Sequence, residues 1–204
     1  MTLRLGLIAL IVVTSVAVGF AQGSPRLLHD RDLAVIAAPT FDVPLDATWS
    51  VAQGKWTPEG GVLRVVELAA NKHSAVLHHN VGLANAVIEC DFRLDGPGVF
   101  YVGCDAKTHV GRVVIRPDGM IIAEDSVKPS HTLATLKTPV AVGEWHHLRV
   151  EWQGDRMAAR LDGRELRAQH PYLATPKSRS WLAVGKAATV RALTISGVSE
   201  PVKP

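Results

Sequence analysis

Three features of this 204-residue sequence predict an all-β fold, of the kind that closes as a sandwich or a barrel. From Phe41 onward, runs of five to nine residues alternate apolar with polar side chains, the period-2 signature of half-buried strands. Gly, Pro, Asp and Asn punctuate these runs at short intervals. No stretch beyond Phe41 holds a helical period long enough to define an amphipathic helix.

The opening stretch, MTLRLGLIALIVVTSVAVGFAQ, is of another kind. Arg4 precedes an unbroken run of apolar and small residues from Leu5 to Phe20, and Gly19-Phe20-Ala21 sets small residues where a signal peptidase cuts. Residues 1–21 therefore read as a removed signal peptide. The run falls short of the ~20 apolar residues of a membrane span, and no Cys follows it to carry a lipid. The mature chain is expected to be secreted, periplasmic or extracellular, with no membrane span after signal cleavage. Residues 22–40 mix Pro, Gly and charge without periodicity and read as a lead-in segment. Residues 41–198 read as one β-sandwich or barrel domain and 199–204 as a tail; a mature chain of ~180 residues suits a single core. Arg4 is the one basic residue lost with the leader, so 21 Lys and Arg remain against 19 Asp and Glu. These basic residues are scattered, which argues against nucleic acid as a partner.

Three hairpins can be set in register. In LRVEWQGDRMAARL the pair Gly154-Asp155 suits a type II′ turn, with Gly first. Counting back pairs Trp152 with Met157, Val150 with Ala159 and Leu148 with Leu161 on an apolar face. Arg149 then meets Arg160, and Glu151 meets Ala158, on the other. In ARLDGRELRA the pair Asp162-Gly163 signals a type I′ turn and sets Arg160 opposite Glu165, worth about a few tenths of a kcal/mol. In RVVIRPDGMIIAED the turn Pro117-Asp118-Gly119 pairs Val113 with Ala123 and Arg112 with Glu124.

Alternation in AVIECDFRL puts Ile88, Cys90, Phe92 and Leu94 on one side and Glu89, Asp91 and Arg93 on the other. The break Asp95-Gly96-Pro97-Gly98 reads as a hairpin loop, which sets Leu94 against Phe100, Phe92 against Val102 and Cys90 against Cys104. Two readings of the cysteines stay open. They form a disulfide if their Cβ atoms approach within ~3.5–4.5 Å, or they are two small buried hydrophobes. Glu89 and Asp91 share a face with Cα atoms ~6.7 Å apart. That spacing admits the carboxyl separations of glycosidases, ~5–5.5 Å or ~6.5–9.5 Å. The third position is Arg93, which cannot donate a proton near neutral pH, so a polar sheet face is the favoured reading.

Several segments in order resemble the concanavalin A-like lectin and glucanase superfamily. WSVAQGKWTPEGGVLRV resembles its opening strand pair, and IECDFRL with GVFYVGCD its central strands. VGEWHHLRVEWQGDRMAARLDGREL is similar to the double hairpin of laminin-G-like and 3-keto-disaccharide hydrolase domains, and SWLAVGKAATVRALTISGV to the closing pair. The resemblance implies a two-sheet antiparallel jelly roll whose concave sheet binds sugars. Departures are visible as well. Val102 or Gly103 stands where the hydrolases tend to carry Arg, Val114 where they tend to carry Glu, and Arg93 where the glycosidase acid motif ends in Glu.

Nine histidines include the adjacent pairs His78-His79 and His146-His147, whose rings point to opposite faces of a strand and cannot share one ion. No His-x-His or Cys-x-x-Cys spacing occurs, and Asp105 and Asp118 lack an Asp-rich loop, so neither zinc nor calcium is expected and no cofactor is implied. The five tryptophans are expected in the core. Asp91, Arg93 and Tyr101, with Arg112 and Glu124 beside them, are the expected binding face for a carbohydrate or cell-surface glycan. Under the hydrolase alternative Glu89 and Asp91 are the catalytic pair, and a structural cell-envelope module is the further alternative.

Overall fold

The computed structural model describes residues 25–199, so the leader read at residues 1–21 and the tail from residue 200 lie outside it. The described chain forms β1 (Val35–Ala37), β2 (Trp49–Gln53), β3 (Lys55–Glu59), β4 (Val62–Val66), β5 (Ala75–His79), β6 (Leu83–Leu94), β7 (Val99–Asp105) and β8 (His109–Arg116). These are followed by β9 (Gly119–Glu124), β10 (His131–Lys137), β11 (His146–Gln153), β12 (Arg156–Leu161), β13 (Arg164–Gln169), β14 (Arg179–Gly185) and β15 (Ala187–Ser199). They assemble as the predicted two-sheet antiparallel sandwich. One sheet runs β13-β12-β11-β6-β15-β4-β3, with β1 on the far half of β15; the other runs β10-β9-β8-β7-β14-β5-β2.

The double hairpin stands in the register predicted for it. Trp152 faces Met157, Val150 faces Ala159, Leu148 faces Leu161, and Arg160 faces Glu165. Both turns are tight, so local chemistry decides the pairing.

β6 and β7 do not form a hairpin. β6 pairs with β11 and β15, while β7 pairs with β14 and β8, and the chain between them crosses from one sheet to the other. Gly98 lies so close to the β14–β15 turn that a Cβ there would stand 2.3 Å from the Gly185 carbonyl oxygen. The end of β6 is held by the Asp95 N–H donating to Ala187 and the Gly143 N–H donating to Leu94. Both apolar rows are buried as alternation predicts, but they meet across the core instead of side by side. Phe92 and Phe100 stack with centroids 4.4 Å apart and planes 4° apart. Cys90 and Cys104 are buried free thiols in opposite sheets, so the hydrophobe reading holds and the disulfide does not. Burial, the largest cause, pushes the Cys104 thiol up to about 12 and that of Cys90 higher still.

The third hairpin is one residue out of the expected register. Its loop is Pro117-Asp118, so Arg116 faces Gly119, Arg112 faces Ala123 and Val113 faces Ile122. Gly119 takes φ +151°, and its missing Cβ leaves room for the Leu136 carbonyl oxygen of β10. The shift by one residue turns Glu124 inward, on the side of Met120 and Ile122, and leaves Arg112 outside.

The lead-in residues are seated on the eight-stranded sheet. Leu27, Leu28 and His29 donate backbone N–H groups to the buried Glu151 carboxylate, and Leu27 and His29 are themselves buried.

Candidate functional site

The outer face of the seven-stranded sheet carries a cleft of about 530 Å³. Alternation builds it. Along β7 the side chains of Phe100, Val102 and Cys104 enter the core, while Tyr101 and Asp105 line the cleft on either side of Gly103. Along β14 Leu182 and Val184 enter the core, while Arg179, Trp181 and Ala183 line the cleft. Strand register sets these groups in rows. His78, Trp181, Gly103 and Arg112 form one row across β5, β14, β7 and β8, with Val76, Ala183, Tyr101 and Val114 in the next. Arg179, Asp105 and His109 form a third on the other flank.

The floor is fixed by Trp181. Its indole occupies the space that a side chain at Gly103 would fill, since a Cβ there would stand 2.4 Å from Cζ2. Indole Nε1 donates to Asp105 Oδ1 at 2.6 Å, and the ring lies 4.9 Å from that of His109. Asp105 also takes His109 Nδ1 at 2.7 Å and Arg179 Nε at 3.1 Å. Burial alone would raise the Asp105 carboxyl; the hydrogen bonds from His109, Trp181 and Arg179 outweigh it and hold it below the usual carboxylate range.

A second cluster forms one wall. Asp125 accepts from Arg112 Nη1 at 2.5 Å and Lys128 Nζ at 2.6 Å, and Arg112 Nη2 donates to Ser130 Oγ at 2.9 Å. Burial again opposes ionisation of Asp125, and hydrogen bonds from Lys128, Ser130 and Arg112 overcome it, leaving the carboxyl well below its usual range. Burial, and then the nearby Arg179 charge, lowers the pKa of His78 and favours its neutral ring, with one donor and one acceptor nitrogen. The cleft thus offers an aromatic ring at Tyr101, a rigid floor, and planar donors and acceptors already held in place.

Of the residues expected to form one binding face, Tyr101 and Arg112 line this cleft together. Asp91 and Arg93 do not. They lie on β6, on the outer face of the opposite sheet, because β6 is not the partner of β7. Glu124 is fully buried behind the Asp125 wall, through the register shift of its hairpin. The tryptophan expectation holds for Trp152, at 0% exposure, and for Trp49, buried against His79 at the core edge. Trp181 instead floors the cleft, and Trp145 lies under the guanidinium groups of Arg191 and Arg93, at 4.0 and 5.2 Å.

Glu89 and Asp91 share a face, as alternation predicts, and join an ionic network there. His147 Nε2 meets Glu89 and Nδ1 meets Asp91, both at 2.9 Å. Arg149 Nη1 donates to Glu89 at 2.5 Å and Arg191 Nε to Asp91 at 3.1 Å. Glu89 and Arg149 line a separate groove of about 370 Å³ beside residues 32–35, with Tyr101 on the far side of the sandwich.

His78, His109, Asp125, Arg179 and Trp181 were not legible as site residues. One signal was available. In RSWLAVG, alternation puts Trp181 with Arg179 on the face opposite Leu182 and Val184.

No family model matches the sequence, and no curated protein matches it. Solved structures share the fold. The carbohydrate-binding module CBM66 from Bacillus subtilis is 19% identical at TM-score 0.58, over 74% of this chain and 96% of that one. SCLam, a non-specific endo-β-1,3(4)-glucanase from family GH16, is 15% identical at TM-score 0.60, over 80% and 91%. A Bacillus subtilis protein of unknown function with a galectin-like fold is 9% identical at TM-score 0.65, over 83% and 99%. The chain has the concanavalin A-like jelly-roll fold.

Proposed function

We propose that this jelly roll is an exported carbohydrate-binding module whose sugar site is the cleft on the outer face of the seven-stranded sheet. The observation that carries this reading is the row arrangement around Trp181. An aromatic ring at Tyr101 and the planar groups of His78, Arg112 and Arg179 surround one floor. A pyranose presents an apolar face to an aromatic ring and a rim of hydroxyls to such donors and acceptors. Solved structures of this fold include a carbohydrate-binding module and a β-glucanase, which supports the ligand class.

Binding without turnover is the reading supported by the cleft's electrostatics. Glycoside hydrolysis needs a carboxyl whose pKa is raised so that it can protonate the leaving oxygen. Asp105 and Asp125, the two acids lining the cleft, are both held below the ordinary range. The hydrolase reading rests instead on Glu89 and Asp91, whose oxygens are engaged by His147, Arg149 and Arg191 on the other sheet. Among the described residues no helix is long and apolar enough to cross a membrane. Export rests on the leader read at residues 1–21.

A glycan array on the mature chain tests the reading. Binding is expected, with loss in Tyr101→Ala and Arg112→Ala, retention in Arg93→Ala, and no release of sugar. Sugar release abolished by Glu89→Gln or Asp91→Asn replaces the proposal with the hydrolase. A silent array and a silent release assay replace it with a structural envelope module.

A further inference from the structure

Glu124 closes β9, and its carboxylate is fully buried. Within 4 Å that carboxylate meets two imidazoles. His131 Nδ1 lies 2.9 Å and His170 Nδ1 3.9 Å from Oε1. His131 opens β10 and faces Glu124 across the ladder, while His170 follows β13 and caps the 3-10 turn Pro171–Ala174. Glu124 and His131 are partners across one hairpin, His170 comes from about forty residues further on, and one ligand atom from each lies within 4.8 Å of the others.

We propose that Glu124, His131 and His170 form a binding site for a divalent metal of the zinc class. Two imidazoles and one carboxylate are a donor set of zinc; calcium and magnesium prefer all-oxygen shells. Four-coordinate zinc with bonds of ~2.0–2.2 Å keeps neighbouring ligand atoms about 3.3–3.5 Å apart. The two separations from Glu124, 2.9 and 3.9 Å, bracket that spacing, and all three ligand atoms lie within 4.8 Å of one another, so side-chain rotation closes the set around one ion. The carboxylate is already oriented as a ligand. Ser126 donates its backbone N–H to one oxygen and its hydroxyl, at 2.9 Å, to the other, the outer-sphere support that metal-binding carboxylates receive. Nδ1 of His170 now accepts the Tyr172 N–H in a long hydrogen bond of 3.3 Å, so its single lone pair leaves that donor when it turns to the metal. His131 is half exposed, which leaves a coordination position open to water. The site also clamps both ends of the 125–130 loop, whose Asp125, Lys128 and Ser130 line the cleft. It stands independently of any sugar.

Cobalt titration of the metal-stripped protein reads the site directly, because four-coordinate Co²⁺ absorbs in the visible through d–d transitions. Saturation at one Co²⁺ per chain is expected, with displacement by Zn²⁺ and no displacement by Ca²⁺. His131→Ala, at a half-exposed side chain, is expected to weaken binding by more than the roughly 10- to 100-fold that loss of an outer-sphere partner costs. Glu124→Gln, which keeps the shape of the buried side chain, is expected to do the same. Absence of a saturable d–d band overturns the proposal, and so does a band unchanged in both variants.

Discussion

The indole of Trp181 lies over Gly103 on the neighbouring strand, in the space where a side chain would begin. A methyl group at this position collides with the ring and with Arg112 Cβ, 3.0 Å away. Gly103→Ala is therefore expected to destabilise the fold by about 1–3 kcal/mol, the range for overpacking. It should also change the intrinsic tryptophan emission. Urea melts followed by fluorescence read both, and an unchanged midpoint with unchanged emission contradicts the packing described.

Phe92 and Phe100 hold the two sheets face to face. Each is completely buried, so Phe92→Ala or Phe100→Ala is expected to cost roughly 3–5 kcal/mol. The double mutant is expected to cost less than the sum, by about 0.5–1.5 kcal/mol for the stacked pair. Additivity in that cycle would mean that the rings do not touch.

How far the fold was legible is clearest at these two strands. Ile88, Cys90, Phe92 and Leu94, like Phe100, Val102 and Cys104, bury one face whether their strands pair in one sheet or oppose each other in two. Alternation cannot separate the two arrangements, and a four-residue break suggested the hairpin. The partners that decide the matter, β11 and β15, lie more than fifty residues away. The Gly154-Asp155 and Asp162-Gly163 hairpins were legible because turn chemistry sets their register within the same few residues. Tyr101 and Arg112 were found as cleft residues, but Asp91, Arg93 and Glu124 were grouped with them through the assumed pairing and a register one residue out. His131 meets Glu124 across the β9–β10 hairpin, whereas His170 reaches it through topology alone, which no local spacing records.

Stability is expected to fall at both ends of the pH scale for identifiable reasons. Asp105 and Asp125 have folded pKa values below the unfolded value of ~3.9. Their contribution is complete above that value and is lost as pH falls through the folded pKa. His146 behaves oppositely. Burial would lower its pKa, but hydrogen bonds with the Ala141 carbonyl and Asp162 raise it, so its contribution is complete below ~6.5 and is lost as pH rises through the folded value. Urea midpoints across the pH range should show a flattened acid arm in Asp125→Asn and a flattened alkaline arm in His146→Gln. Arms identical to wild type in both variants contradict the assignment.

Cys90 and Cys104 are buried in opposite sheets with thiols raised by burial. Neither is expected to react with iodoacetamide in the native state, and both should react in urea. Mobility on denaturing gels should be the same with and without reductant. Native labelling of either residue, or a reductant-dependent shift, would show that the core is not packed as described.

Chemical-shift mapping of the isotope-labelled protein with a bound oligosaccharide tests the central claim most directly. Perturbed amides are expected on β5, β7, β8 and β14 around Trp181, Gly103 and Arg112, and the indole N–H of Trp181 should move with them. Perturbations gathered on β6 and β11 around Glu89 and His147 would contradict the account and move the ligand to the opposite sheet.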